Sequence, residues 1–437
     1  MFGYYFKLGV RSLRRNPALT ALMVLTLAVG VAASVATLTI LHVMSGDPIP
    51  SKSDRLFVPL VDNNQPKGYT PGDKLNDDQS SYKDAIAILN ARVGVRRVIM
   101  YGFGPSVEPP RAELGAFNVS GIAPTADFFA MFEVPFLYGQ GWGEAEDKAG
   151  ADVVVLGREL AEKVFGNTNP VGQTLRLMGF PYKVIGVIDY WNPLPHYHHI
   201  IGGPGSFGKP DDLFIPFNSA IRHETSHSGS MSCDGNRDPG FQGLLNSECT
   251  WIQPWIETRS ASERVDVHAW LDNYANEQRK LGRLQRKAPN YVWNVMEWLE
   301  YRKVVGNDSK LQAWLAFGFL ILCLVNTIGL LLAKFSVRAS EVGVRRALGA
   351  SRREIFNQFL IETAVVGLAG GVLGLLLAFG ALALIAMQSN AMSVVAHMDW
   401  AMLATTFIMS VAAAILAGLL PTWRACQVTP ALQLKSQ

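Results

Sequence analysis

This chain carries little charge and little cysteine for its length. Only 17% of its 437 residues are Asp, Glu, Lys or Arg, and 39 basic against 36 acidic side chains leave a formal net charge of +3. That excess is too small to point to nucleic acid as a partner. The four cysteines, Cys233, Cys249, Cys323 and Cys426, have no metal-type spacing, and neither a metal nor a cofactor is expected on this chain. No G-x-x-x-x-G-K-[ST] loop occurs, so the backbone cradle which that motif builds for nucleotide phosphates is missing. The first apolar run is too long for a cleavable leader and has no clear cleavage site.

Hydrophobic residues make up 49% of the chain and are unevenly spread. Four runs exceed the roughly 18 apolar residues that suggest a membrane-crossing helix. The expected fold is an α-helical membrane protein with four transmembrane helices. A large mixed α+β extracytoplasmic domain is inserted between the first and second. The stretch 1–16 holds Lys7, Arg11, Arg14 and Arg15 on one side and Phe2, Tyr5, Phe6 and Leu13 largely on another. It reads either as an amphipathic helix on the cytoplasmic surface or as a plain cationic flank. Asn16-Pro17 caps the first span, 17–45, in which Ala28, Gly30, Ala32, Ala33, Ser34 and Ala36 either permit close helix contact or merely fill space. The second span is 311–334 with Asn326 inside it. The third is 355–387 with Glu362 near its start, placed to snorkel or to pair with an arginine. The fourth is 400–423. The loop 335–354 and the tail 424–437 are basic, whereas 388–399 has no Lys or Arg. By the positive-inside rule both termini and the basic loop are cytoplasmic, and 46–310 and 388–399 are outside.

The region 46–310 has ordinary polarity and no membrane-length run. Strand-like pieces recur at 97–100, 151–156, 174–177, 182–188 and 213–217, with helical pieces at 124–132 and 157–165. From 262 to 301 the pattern turns helical and leads back toward the membrane as a stalk. Cys233 and Cys249 both fall in this external region, where the compartment is oxidising, and are expected to form a disulfide. His223-Glu-Thr-Ser-His227 matches the H-E-x-x-H zinc signature, which needs both imidazoles on one helical face. Ser226, Ser228, Gly229 and Ser230 argue for a loop there instead. His196, His198 and His199 lie beside prolines and read as surface histidines, or else as weak metal ligands.

The basic loop has its own order. Ser340 is placed to cap a short helix, Gly349 to end it, and Ser351-Arg-Arg-Glu354 to open the next helix as a capping box. Such a loop either receives force from a partner or only anchors topology.

The loop Glu341-Val-Gly-Val-Arg-Arg-Ala-Leu-Gly-Ala350 with Phe359-Leu-Ile-Glu362 resembles the signature of FtsX/MacB-type ABC transporter permeases. So does the ending Leu420-Pro-Thr-Trp-Arg-Ala425 with Pro430-Ala-Leu432, and so does the opening Leu13-Arg-Arg-Asn-Pro17 through Gly30-Val-Ala32. In the external region, 128–139, 160–166, 170–172 and 184–187 resemble the MacB-like periplasmic core domain, while 191–255 fits the pattern poorly and reads as an elaboration. The resemblance implies a bacterial inner-membrane permease working as a dimer, with a second copy or a homologous permease. It also implies a separate ATPase subunit that binds ATP and Mg and moves the spans; a membrane fusion protein is a further candidate partner. It makes Glu341, Val344, Arg345, Arg346, Ala347 and Leu348 the expected ATPase-coupling residues, the apolar ones forming a patch. Two functions follow from it: a permease for export or efflux, or a mechanotransmitter acting on a periplasmic partner such as a cell-wall hydrolase. A zinc peptidase is the outside alternative.

Overall fold

A computed structural model describes residues 16–66, 69–70, 78–200, 206–235, 237–287 and 289–388; beyond these it describes 404, 408, 412, 415, 418–419 and 421–423. The expected surface helix before Asn16, the connection after Gln388 and the tail from 424 lie outside the described residues. The chain divides into two compact units: Gly46–Val304, and the long helices that precede and follow it.

Gly46–Val304 is a mixed α/β domain built on thirteen strands. In chain order they are β1 (Leu56–Leu60), β2 (Ser80–Ser81), β3 (Arg96–Phe103), β4 (Ser106–Glu108), β5 (Phe117–Asn118), β6 (Gly121–Pro124), β7 (Phe136–Gly139), β8 (Val153–Gly157), β9 (Thr174–Leu177), β10 (Phe180–Ile188), β11 (Leu213–Phe214), β12 (Thr250–Glu257) and β13 (Tyr291–Asn294). The main path runs β13-β1-β12-β3-β6-β11-β8-β10-β9-β4-β5, with β2 on β12 and β7 on β10. Most neighbours are antiparallel, whereas β8–β10 and β6–β11 are parallel. After β8 the helix Arg158–Phe165 buries Leu160, Ala161 and Val164 against the sheet, the crossover that a parallel pair requires.

β12 is an interior strand with all eight residues buried; it pairs β1 through Ile256↔Phe57 and β3 through Trp255↔Val98. The segment 191–255, read from sequence as an elaboration, therefore supplies β11 and most of β12 to the sheet itself. Between 262 and 301 the expected helices form, Arg264–Lys280 and Val295–Tyr301, but β13 lies between them.

A polar knot ties the start of the domain to its end. Ser81 caps helix Tyr82–Leu89, and Asp84 in its first turn is fully buried. The Asp84 carboxylate receives Arg283, Asn63 and Tyr274, the last at 2.6 Å, while Arg283 also reaches Glu248 at 2.6 Å. Burial pushes the Asp84 carboxyl up, but Arg283, Ser81 and Tyr274 outweigh it and hold the group below the usual carboxylate range. Cys233 and Cys249 are joined by a disulfide next to the two-way backbone pairing of Ser232 with Thr250 at 3.1 and 2.8 Å.

In the other unit three helices are long and apolar enough to cross a membrane: Pro17–Ser45, Leu311–Val337 and Arg352–Met387. The second begins at Asn307, so 307–310 belong to the helix and not to the domain assigned to 46–310. The first helix packs against both of the others, and its small residues are the reason. A Cβ on Gly30 would sit 2.8 Å from that of Cys323, and one on Gly374 of the third helix 2.9 Å from the Ala28 carbonyl oxygen. Those positions let backbones approach, the use of small residues where lipid supplies no hydrophobic drive. Ser34 adds a hydrogen bond to the Ala316 carbonyl at 3.1 Å. Of the expected fourth span, Ala404, Ile408, Ala412, Ile415, Gly418, Leu419 and Pro421–Trp423 are described, and all are helical.

Candidate coupling site

The site is built where the second and third long helices are joined. Asn307–Val337 ends at Arg338, the short helix Ala339–Ala347 follows, and the third helix starts at Arg352. Ser340 lies inside the short helix and does not cap it; Arg338 holds the cap position with φ −98° and ψ 5° and no side-chain cap bond. The chain turns there without entering the extended backbone that a capping Ser needs. The other two punctuation marks form as their spacing implies. Gly349 has φ 101°, with Ala350 N–H bonding the Arg345 carbonyl at 3.0 Å and Gly349 N–H that of Arg346 at 3.2 Å. This is the Schellman pattern. Ser351 and Glu354 close a reciprocal capping box, at 2.9 Å to the Ser351 N–H and 3.3 Å to the Glu354 N–H.

Beneath the short helix lies an ion triad. Lys334 Nζ is 2.6 Å from Glu362 Oε1, and Arg338 Nη1 is 3.2 Å from Glu362 Oε2. The Lys334 and Glu362 side chains are 0% and 1% exposed. A buried carboxylate costs several kcal/mol unless paired, so the two cations decide whether Glu362 is tolerated. Glu362 neither snorkels nor relies on an arginine alone: its shortest partner is a lysine of the preceding helix. Phe335 and Phe359 lie 4.3 Å apart between ring centres, and Val342 of the short helix joins Met23, Leu331, Phe335, Ile355, Phe359 and Val366 in one apolar cluster.

One face of the short helix is thus fixed and the other is open. Arg345 is held by Glu341 at 2.7 Å and by Gln358 of the third helix at 3.0 Å. Val344 and Leu348 are 53% and 83% exposed, and Arg345 and Ala347 are exposed beside them. Asn326 stands apart from this site. It lies on an exposed face of the second long helix and makes no hydrogen bond among the described residues.

The histidine motifs take other forms. Helix Phe217–Arg222 ends before His223, and Glu224 has φ 50°, so His223 and His227 do not share a helical face. His223 instead bonds Asp152 at 2.8 Å and packs on Phe180, while His227 packs on Trp251. His196 and His198 are not surface residues: they are 7% and 1% exposed. The aromatic rings of Trp191, Phe128, Phe132 and Tyr197 close around His198, a burial that no local pattern signals. Burial lowers the His196 pKa to about 4, helped by neighbouring His198, and that of His198 to about 3. No group of three or more His, Cys, Asp and Glu placed to hold a metal occurs among the described residues.

Comparison with known proteins gives two family matches. Residues 20–245 match the MacB-like periplasmic core domain, and residues 313–430 match the FtsX-like permease C-terminal domain. The macrolide export ATP-binding/permease protein MacB of Bdellovibrio bacteriovorus is 25% identical over 267 residues, 60% of this chain and 36% of that protein. The pyoverdine export ATP-binding/permease protein PvdT of Pseudomonas entomophila is 25% identical over 313 residues, 71% of this chain and 42% of that one. The chain thus spans less than half the length of these relatives. The periplasmic region of MacB from Actinobacillus actinomycetemcomitans aligns with a TM-score of 0.36 at 12% identity, covering 56% of this chain and 92% of that one.

Proposed function

This chain belongs to the FtsX/MacB-type ABC transporter permeases, and from that premise we propose that it is the membrane subunit of an export system driven by a separate ATPase. In this reading four helices cross a bacterial inner membrane, both termini and the short helix Ala339–Ala347 face the cytoplasm, and Gly46–Val304 lies in the periplasm. ATP and Mg are bound by the partner ATPase. The export names of the relatives favour transport over mechanical control of a periplasmic hydrolase.

The observation that carries the reading is the short helix. Its inner face is locked by Val342 and by Arg345 to Gln358, while Val344 and Leu348 stand exposed among basic side chains. Exposed apolar residues ringed by charge on a rigid element suit a protein partner. A rigid seat passes displacement to the second and third helices, which a floppy linker would absorb.

The test is Arg345→Glu with Leu348→Asp. A charge buried unpaired at an interface costs several kcal/mol, enough to release a partner held at micromolar affinity. The expected result is normal permease in the membrane with loss of ATPase co-purification and of substrate-stimulated hydrolysis. Unchanged binding and unchanged coupling in the double variant would make the loop a topological anchor only. Stimulation that tracks a periplasmic partner and no exported compound would favour the mechanical reading.

A further inference from the structure

We propose that residues 191–200 are an acid-released cover: protonation of His196, His198 and His199 lifts this segment off the sheet and bares Phe128, Phe132 and Trp255, while the strands beneath stay paired. The inference uses the Gly46–Val304 domain alone and does not rest on the ATPase reading.

The segment belongs to no helix or strand, yet Pro195, His196, Tyr197, His198 and Ile200 are buried. Single hydrogen bonds hold it. His196 N–H donates to the Ser206 carbonyl at 2.7 Å, and the Trp255 indole N–H to the His198 carbonyl at 2.8 Å. Arg302 Nη2 donates to the Ile200 carbonyl at 3.4 Å, and the Gly102 N–H to His199 Nε2 at 3.1 Å. The last of these marks where the cover meets the sheet. β12 pairs β3 as far as Gln253↔Met100; two residues on, the Gly102 N–H is met by an imidazole instead. The strands beneath keep their own ladder, from Gln253↔Met100 to Glu257↔Arg96, so lifting the segment removes none of it.

An imidazole accepts a hydrogen bond only while neutral; in the charged ring both nitrogens donate. A proton on His199 Nε2 therefore sets two donors face to face at Gly102. There is no slack there, because a Cβ on Gly102 would sit 2.6 Å from His199 Cε1. His198 is 1% exposed, neither of its ring nitrogens is hydrogen-bonded among the described residues, and its ring centre lies 5.8 Å from that of His196. Like charges that close repel. Asp211, with Oδ2 at 3.6 Å from His198 Nε2, is the carboxylate that faces the rings. Glu133 and Asp47 face Tyr197, Arg302 pairs with Asp78, and Lys52 pairs with Glu257 at 3.1 Å. One carboxylate does not match three imidazolium ions. Burial holds the closed rings at about 4, 3 and 4, whereas released rings titrate near the ordinary 6.5. The closed form is thus fully favoured above about pH 6.5 and gives way as pH falls. Each ring tilts the open-to-closed ratio about twentyfold between pH 7 and pH 5, and three together about ten-thousandfold. Asp211, whose carboxyl burial raises, returns part of this.

The experiment is residue-level amide hydrogen exchange on the full chain in detergent, at pH 7 and pH 5 and over a series of low urea concentrations, with rates corrected for the intrinsic effect of pH. The reporters are the Gly102 and His196 amides, which bond across the edge of the cover. At pH 5 both are expected to open at least about a hundredfold more readily than at pH 7, and to regain protection on return to pH 7. Their opening should depend little on urea, because lifting the segment exposes little surface, whereas Val154, Val155 and Leu156 of β8 should follow the full slope of domain unfolding. His199→Gln offers Gly102 an oxygen that does not titrate, and His198→Phe keeps a ring; each should shrink the pH effect about twentyfold. Should His198→Phe fold poorly, His198→Gln makes the same comparison. Gly102 and His196 amides that share the urea slope of β8 at pH 5 would show that the segment opens only with the whole domain, and would overturn the proposal. So would a pH effect as large in the variants as in wild type.

Discussion

Acidification should loosen the Gly46–Val304 domain, and the buried histidines set the size of the effect. His198 is enclosed by four aromatic rings, with Asp211 Oδ2 at 3.6 Å from its Nε2; His196 Nε2 meets Asn192 Oδ1 at 2.5 Å. Their folded pKa values, about 3 and about 4, lie below the ordinary 6.5. Between those limits the unfolded chain binds more protons than the folded one, so stability falls as pH falls. It is fully present above about pH 6.5. At pH 5 His196 and His198 each withdraw about 2 kcal/mol relative to pH 7, and His199, whose pKa burial lowers to about 4 and whose Nε2 accepts the Gly102 N–H, withdraws a similar amount, about 6 kcal/mol together. Asp147 opposes this. Burial raises its pKa to about 6, so its protonation returns about 1 kcal/mol by pH 5. Asp211, also raised by burial, acts in the same direction as Asp147. A net loss of about 4 kcal/mol remains, a large part of the stability of an ordinary domain.

The assay is urea unfolding of the detergent-solubilised chain at pH 7 and pH 5, followed by the fluorescence of buried Trp251, Trp255 and Trp298. His198→Phe should shrink the pH-dependent difference by about 2 kcal/mol, because it removes one titrating group and keeps the ring. Should that variant fold poorly, His198→Gln gives the same comparison with a side chain that does not titrate. A wild-type stability equal at both pH values, or a pH dependence identical in wild type and variant, would refute the account.

Three further outcomes are expected. Glu362→Ala should cost about 3–5 kcal/mol by leaving Lys334 and Arg338 without their carboxylate, read as a lower melting temperature in detergent; Lys334→Met with Glu362→Leu should recover only part of it, because Arg338 stays unpaired, and adding Arg338→Met should recover more. Replacing Cys233 and Cys249 by Ser should cost roughly 3 kcal/mol for a closed loop of this size, and maleimide should label two of the four cysteines in denatured, unreduced wild type. His223→Ala with His227→Ala should leave transport-linked ATPase activity per folded permease unchanged; stoichiometric zinc lost together with activity in this variant would contradict that.

What could be read from the sequence was what the chain specifies locally. The three long helices follow from uninterrupted apolar runs, and the Gly349 turn and the Ser351–Glu354 box from residues three or four apart. The strand pieces around Val98, Val154, Leu175 and Val184 were visible because their apolar residues cluster or alternate. β1 and β12 were not, and proline is one reason. Pro59 and Pro254 each remove a ladder donor, which argues against an interior strand, yet Pro254 sits opposite Ile99 in the middle of the sheet. Only the partner strands decide that placement. Ser340 misled because a capping residue type says nothing when the preceding helix runs on almost without a break.

The same division between local and distant information separates the two intramembrane polar residues. Glu362 and Asn326 look alike in sequence, each a single polar side chain in an apolar run. Which face of a helix is covered depends on which helices flank it, and no window of sequence carries that. Glu362 turns inward, and its charge is matched by Lys334 twenty-eight residues earlier and by Arg338. A buried ion pair is seldom the most stable filling for such a space; a well-packed apolar side chain is often neutral or better by about 1–4 kcal/mol. What the pair adds is direction. A charge placed between two cations has one low-energy position, whereas leucines can slide past one another. The triad therefore holds the ends of the second and third helices in one register directly beneath the helix that presents Val344 and Leu348. Asn326 turns outward onto an exposed face, and no partner for it occurs among the described residues.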